Sequence, residues 1–593
     1  MTSMLVQPQL MATAASDAAG IGSAIEQARS AAAAQTTGLV AAAEDEVSAA
    51  TAALFGSYGQ QYQAMMAQAS TFHDQFVAAL NAASNAYTQA EASIAGTLGL
   101  SSAAPTASSS GTPYTPTQTN VIAQLILTGS GTATPSLTYM NNVASRYLTE
   151  FTLPSGFVNQ AVSTAEGLYP FTGVKDLTLN ISLARDVTEL NNAITGVTGF
   201  APGNGSAISV LTYSQSSIAA SMAMPILHNL GYTSSQINFT LLGDPSAPNG
   251  GLFARFPGLS LPSLGVTFGN STPSDMFNTT IYSLEYDGFA DFPQYPIDIF
   301  SDLNALAGIV FIHGTYPTLS ASQIASGFLL PGSAQLGTPG GSALTNYVMI
   351  PTQNLPLLDP LRAIPVIGNP LADLVQPDLR YLVNWGYGNP EYGYSTGLAN
   401  VQTPFGFLPP LSATTALGPL LVSGAQQGAA AFGADISAML PTSLPAMALP
   451  TLSVPGIAGA LSGGASSGTT ALALPTVASI PTTLTNLIGG IENANNTIVG
   501  GFTTDISTAY ATLLPTADIA TAVVVSLPSY DLNLFLNGIT QAINGNPMGL
   551  VNAIGDPIAA DTGLVTLAGG FEFINFENAL QTILLGTPNP GPY

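Results

Sequence analysis

Ser214, Asp291 and His313 are the residues of this 593-residue chain around which chemistry can be built. A serine hydroxyl is a poor nucleophile at neutral pH until an imidazole takes its proton. A carboxylate must then hold the imidazole in one tautomer and stabilise its cation. The chain has 3 histidines and no cysteine, so thiolate chemistry, disulfides and cysteine metal sites are excluded. His73, His228 and His313 lie far apart and form no HExxH-type pair, so neither a metal nor a cofactor is expected. His228 falls about four turns along the helix that follows Ser214 and is expected to point elsewhere. His313 is the histidine downstream of the acid candidates.

The stretch Ser206 to Ala220, SAISVLTYSQSSIAA, sets the position of Ser214. Ile208, Val210 and Leu211 form an apolar run of strand length, and an Ala/Met-rich helical segment follows with no Gly or Pro before Pro225. Strand, tight turn, helix is the setting of a nucleophile elbow. The turn would lift the Ser214 hydroxyl off the end of the sheet, and the helix start would offer the Gln215 N–H to a developing oxyanion. Such elbows usually carry Gly two residues before and after the serine; here Thr212 and Ser216 stand there. An ordinary strand-to-helix turn is the competing explanation.

The other elements follow from the same chemistry. Val121 to Leu127 is expected to be a buried strand ending in Thr128-Gly129-Ser130-Gly131-Thr132. That loop is the candidate second half of the oxyanion hole, with Gly131 as donor, unless it is only a glycine turn. Asp186 to Thr195 carries a helix pattern, and Ile237 to Leu242 a strand stopped by Gly243. Thr279 to Tyr286 is a further strand running into Asp287-Gly288-Phe289-Ala290-Asp291. Asp291 is preferred as the acid because a few loop residues would let its carboxylate reach His313, with Asp287 left to hold the turn. Ser, then Asp, then His is the chain order of an α/β-hydrolase. The apolar, loop-like stretch from Pro248 to Asp275 reads either as a lid over an acyl pocket or as a surface connection.

With 7 Lys+Arg against 32 Asp+Glu, the net charge of -25 disfavours nucleic acid, whose phosphates need basic partners. The first basic residue is Arg29, so the start lacks the positive region of a secretory signal peptide. No uninterrupted apolar run reaches about 18 residues, so no transmembrane segment is expected. Residues 9–94 lack Pro. Phe55, Tyr58, Tyr62, Met65, Phe72, Phe76, Leu80 and Tyr87 recur at helical spacing, which suggests an α-helical hairpin whose aromatic stripe is either left for a partner or packed on the first helix or the later domain. Gly99 to Thr119 is a Ser/Thr/Pro/Gly linker.

Residues 1–96 resemble the PE domain of mycobacterial PE proteins. The resemblance is carried by Met4-Leu5-Val6-Gln7-Pro8-Gln9, Gly20-Ile21-Gly22-Ser23, Glu44-Asp45-Glu46-Val47-Ser48, Ala53-Leu54-Phe55-Gly56 and Phe72-His73-Asp74-Gln75-Phe76. Gln9 stands where the family's name-giving Glu is found. Tyr87 and Glu91 fit the family's Tyr-x-x-x-Asp/Glu export signal, although an i,i+4 pair on a helix surface looks the same. The resemblance implies type VII secretion to the cell envelope or cell surface, pairing with a PPE-type protein, and a secretion chaperone.

From about 120 to 410 the chain resembles the PE-PPE domain, a serine α/β-hydrolase module related to cutinase-like and lipase-like enzymes. The shared features include Tyr213-Ser214-Gln215-Ser216, Pro248-Asn249-Gly250-Gly251, the run from Tyr286 to Pro293, His313-Gly314-Thr315-Tyr316-Pro317 and Asp359-Pro360-Leu361-Arg362. The family's Gly-x-Ser-x-Ser motif is met except at Thr212. This resemblance implies cleavage of short to medium acyl esters, or acyl transfer in envelope lipid assembly. The competing class is a surface interaction protein that keeps the fold with weak catalysis. The expected organisation is a helical hairpin (1–96), a linker (97–119), an α/β-hydrolase domain (120–410) and an Ala/Gly/Pro-rich C-terminal extension (411–593), the last read as poorly ordered with small packed elements such as Ile519 to Leu527 and Leu564 to Phe573, or as an envelope anchor.

Overall fold

The computed structural model describes residues 112–155, 159–337, 344–439 and 513–585, with a few isolated positions between 33 and 63. The chain divides into two units, Met1–Pro105 and Thr106–Tyr593, and the division falls within the predicted linker. Apart from the isolated positions, the expected hairpin lies outside the described residues, as do Tyr87 and Glu91.

At the centre of the second unit is a sheet of seven strands: β1 (Ala123–Ile126), β2 (Gln160–Ala161), β3 (Ile208–Tyr213), β4 (Ile237–Leu242), β5 (Asn278–Leu284), β6 (Phe328–Leu329) and β7 (Thr345–Ile350). Their order across the sheet is β6-β7-β5-β4-β3-β1-β2. All neighbours are parallel except β6 with β7. A parallel sheet is covered on both faces, so its strands read as apolar runs rather than alternations. Accordingly β4 is buried throughout and β3 at every residue but Tyr213.

Successive side chains divide between the two faces. Leu125, Val210, Phe239 and Ile281 face one core with helices α2 (Leu179–Thr195) and α3 (Gln215–Asn229). Ile126, Leu211, Leu242 and Tyr282 face the other with α1 (Leu137–Tyr147). On α2, Leu179, Leu183, Val187, Leu190 and Ile194 repeat every three or four residues and face the sheet. The helix predicted from Asp186 therefore begins a full two turns earlier. Between β5 and β6 runs α4 (Ile299–Phe311), which delivers the chain to His313.

Beyond residue 410 the segments expected to pack, Ile519 to Leu527 and Leu564 to Phe573, do meet the core, but as parts of long helices. The described part of this region is helical: α6 (Leu411–Met439) packs on α5 (Gly368–Trp385), where Trp385 Nε1 donates to Thr414 Oγ1 at 3.0 Å. Helices α7 (Leu513–Ile543) and α8 (Gly549–Leu585) follow. Leu527, Tyr530, Ala560, Leu564 and Leu567 belong to the same core as the strands. The small residues that suggested mobile chain serve instead as contact points. A Cβ on Gly570 would lie 2.1 Å from the Leu306 side chain of α4, which would have to move to admit it. Among the described residues α7 is long and apolar enough to cross a membrane by length and composition. The search for an uninterrupted apolar run missed it, yet its Leu527 and Tyr530 lie in the core.

Candidate active site

Ser214 caps the junction of β3 and α3 with φ +56° and ψ -118°, a region that non-glycine residues rarely occupy and that stores strain. The two departures from glycine are accommodated by hydroxyls. Thr212 Oγ1 lies 2.9 Å from Ser217 Oγ, both buried. Ser216 Oγ accepts from the Tyr213 N–H at 3.0 Å and lies 3.1 Å from the Tyr213 carbonyl oxygen, to which it donates. The elbow is thus held by side-chain bonds where glycine would ordinarily allow bare backbone contact.

His313 opens a 3₁₀ turn, His313–Thr318, directly after α4. Its Nε2 lies 2.8 Å from Ser214 Oγ, and its Nδ1 lies 2.8 Å and 2.9 Å from the two carboxylate oxygens of Asp287. Tyr213 stacks on the imidazole at 5.4 Å and Phe289 meets it edge-on at 4.7 Å. The Tyr213 hydroxyl donates to the His313 carbonyl oxygen at 2.7 Å. Asp287 is fully buried and well supplied with donors. The Tyr316 hydroxyl donates to its Oδ2 at 2.8 Å, and the Phe289 N–H donates to its Oδ1 at 3.0 Å.

The acid beside the imidazole is therefore Asp287 and not Asp291. Tyr286, at φ +69°, turns the chain sharply at the end of β5, so that the next side chain faces His313. Asp291 folds back underneath. Its Oδ2 accepts the Tyr286 N–H at 2.9 Å, and its carbonyl oxygen accepts the Tyr387 hydroxyl at 3.0 Å. Burial raises the Asp291 pKa well above the carboxylate range, with the Tyr286 N–H and Arg255 opposing. The roles anticipated for the two aspartates are exchanged: Asp291 holds the turn and Asp287 meets the ring. Loop reach was the wrong criterion, because a turn this tight presents its first residue.

Gly131 is also displaced from its expected role. Its N–H donates to the Glu166 carbonyl oxygen at 2.7 Å. Two residues earlier, Gly129 lies against the elbow, and a Cβ there would sit 2.9 Å from Ser214 Cβ. This contact brings Ser130 to the cavity in front of Ser214. The backbone N–H groups of Ser130 and Gln215 have no acceptor among the described residues. Ser130 Oγ donates to Gln215 Oε1 at 2.8 Å, and Gln215 Nε2 donates to Ser182 Oγ at 2.8 Å and Asp186 Oδ2 at 2.9 Å. Burial raises the Asp186 pKa, and the hydrogen bond from Gln215 opposes it. Tyr316 was within the motif that marked His313, but nothing in the sequence pattern linked Ser182 or Asp186 to this site.

Ser130, Ser214, Gln215 and His313 open onto a cavity of about 180 Å³ whose other walls are almost wholly apolar. Leu252, Phe253, Leu261 and Phe268 come from the stretch that was read as lid or surface connection. That stretch is pocket wall, with residues 250–256 buried. His228 lies away from it, edge-on to Phe277 at 6.4 Å. Among the described residues no group of three or more His, Asp or Glu side chains is placed to hold a metal ion. The arrangement can pass the Ser214 proton to Nε2 while a carboxylate steadies Nδ1–H.

Comparison with known proteins agrees with this architecture. Residues 4–94 match the PE family and residues 155–388 match the PE-PPE domain. The chain is 42% identical to the uncharacterized PPE family protein PPE28 of Mycobacterium tuberculosis over 77% of its own length and 66% of that protein's, just under two thirds. It is 40% identical to Esterase PE16 of the same organism over 69% of this chain and 73% of the relative. With PE family protein PE3 it shares 41% identity over 75% of this chain and 92% of the relative. No solved structure matches the chain. A PE segment followed by a PE-PPE domain, shared with PE16 and PE3 over most of their lengths, places this chain in the PE family, within its PE-PPE-domain branch.

Proposed function

We propose that this protein is a serine esterase that cleaves neutral acyl esters through an acyl-enzyme, with Ser214 as nucleophile, His313 as general base and Asp287 as the acid that orients it. The observation that carries the reading is the continuous chain from Ser214 Oγ to His313 Nε2 and from Nδ1 to Asp287, each step 2.8 Å. His313 takes the hydroxyl proton as Oγ attacks the ester carbonyl. The Gln215 and Ser130 N–H groups receive the oxyanion. The protonated imidazole then gives its proton to the departing alcohol, and water repeats the cycle on the acyl-enzyme. Two features support an ester over a charged substrate: no Lys or Arg lines the cavity, and the relative PE16 is named an esterase.

In this reading residues 1–96 form the PE helical hairpin, paired with a PPE-type protein and exported by type VII secretion through a signal that includes Tyr87 and Glu91. The destination is the cell envelope or surface. Residues 120–410 form the hydrolase, and the helices beyond 411 complete its pocket.

The test is turnover of a short-chain nitrophenyl ester by the full-length protein and by Ser214→Ala. Loss of a triad nucleophile removes on the order of a millionfold in kcat, so the variant should fall to the background rate. Equal rates in the two proteins would instead favour a binding module that keeps the fold. Adding a sugar hydroxyl acceptor reports acyl transfer as a new ester product.

A further inference from the structure

Two α7 residues in consecutive positions, Ala522 and Val523, line the cavity in front of Ser214, and so do Leu564, Leu567 and Phe571 of α8. These residues lie more than 300 positions beyond the elbow in sequence, outside the segment that matches the PE-PPE domain. Helix α7 is tied down at its start. The Tyr169 hydroxyl donates to Asp518 Oδ2 at 2.6 Å, and Ser263 Oγ donates to the Asp518 carbonyl oxygen at 2.8 Å. Helix α8 is held by the rings of Phe571 and Phe171, 4.6 Å apart.

The turn Ala522–Ser526 is a π-helix, an irregularity that clusters at functional sites. In this turn Ala522 is buried and Val523 half-buried, both at the cavity, while Val524 and Val525 are 72% and 62% exposed.

We infer that α7 and α8 form the acyl-chain wall of the active site, and that Ala522, Leu564 and Phe571 set the length of acyl chain accepted. The inference rests on the esterase reading and names its substrate class: uncharged esters whose apolar acyl chain fits this wall. The volume gives the scale. A cavity of roughly 150 Å³ lined by Leu, Ile and Phe holds benzene, so about 180 Å³ accommodates an acyl chain of about six to eight carbons. Within that limit each methylene moved out of water raises kcat/KM about fourfold. Beyond it the gain stops.

The experiment measures kcat/KM of the full-length protein on nitrophenyl esters from acetate to palmitate, for the native chain, Ala522→Phe and Leu564→Ala. Ala522→Phe should lower the ratio of octanoate to acetate kcat/KM tenfold or more. Leu564→Ala should move the optimum to chains two to four carbons longer. A second readout needs no catalysis: binding of the alkanol series from hexanol to dodecanol to Ser214→Ala, alone and combined with each pocket variant. The preferred alkanol length should move the same way. If every variant scales all chain lengths equally and leaves the alkanol profile unchanged while its thermal transition is intact, the helices are not the acyl wall. If the native chain itself turns over no ester while the alkanol profile still moves with the pocket variants, the esterase reading falls and the pocket assignment stands.

Discussion

Exchanging the two neighbouring aspartates for asparagine, one at a time, separates the residue beside the imidazole from the residue that only braces the loop. In Asp287→Asn the amide oxygen can still accept from Tyr316 or Phe289, but an amide nitrogen now donates toward His313 Nδ1. The ring is driven to the tautomer with its proton on Nε2, which cannot take the Ser214 proton. Losing the acid while keeping its shape lowers kcat on the order of 10⁴-fold, about 5.4 kcal/mol at 1.36 kcal/mol per decade. In Asp291→Asn the side-chain oxygen still accepts the Tyr286 N–H found at 2.9 Å, and no contact with His313 is altered. Its kcat should stay within about tenfold of native, with the damage appearing as a lower melting temperature. The assay is the initial rate on a short-chain nitrophenyl ester, read beside the thermal transition of each protein. A folded Asp287→Asn that keeps more than a tenth of native kcat, with Asp291→Asn reduced to the level of Ser214→Ala, would refute this geometry.

Two further expectations come from the same structure. Gly129→Ala places a methyl 2.9 Å from Ser214 Cβ and 3.0 Å from the Tyr213 carbonyl oxygen. Loop and nucleophile must part, and kcat should fall on the order of 10²-fold; unchanged kcat/KM would contradict the contact. Burial raises the pKa of Asp298 from 3.8 to about 7, of Glu150 from 4.5 to about 7 and of Asp244 from 3.8 to about 6. The folded chain therefore holds protons that the unfolded chain has released, and stability supplied below about pH 4 drains away as pH rises toward 7. The melting temperature should be lower at pH 8 than at pH 5. Asp298→Asn, which keeps the oxygen bound to the Phe300 N–H at 3.1 Å, should flatten part of that fall, and a melting temperature that climbs from pH 5 to pH 8 would count against it.

Much of the candidate site's layout could be read from local pattern. Parallel strands buried on both faces must be apolar runs, so β3, β4 and β5 were visible as ISVLTY, INFTLL and TTIYSLEY. A strand meeting a helix through a serine is a local event, and so Ser214 and the Gln215 N–H were found together. His313 followed from scarcity, since a chain with 3 histidines offers few candidates. Composition also excluded thiolate chemistry and made nucleic acid an unfavourable partner.

What remained depended on side chains meeting across the fold. Asp287 and Asp291 differ by four positions, and the choice between them turns on the φ of Tyr286, a torsion that the bulky residue itself does not announce. Gly131 and Ser130 are adjacent, yet one N–H is taken by Glu166 in another loop and the other has no acceptor among the described residues. The brace of Ser182, Asp186 and Gln215 joins two helices separated in sequence. The greatest gap lay beyond residue 410. Small residues carry little periodic signal, and the same Ala and Gly that resemble loose chain in sequence become, once helices approach, the surfaces that allow the closest packing. Sequence alone determined the chemistry available to this protein; only the tertiary structure decided which carboxylate meets the His313 ring, which amide lacks an acceptor among the described residues and which apolar residues line the cavity, because those choices are made by one backbone torsion and by contacts between separate elements of the fold.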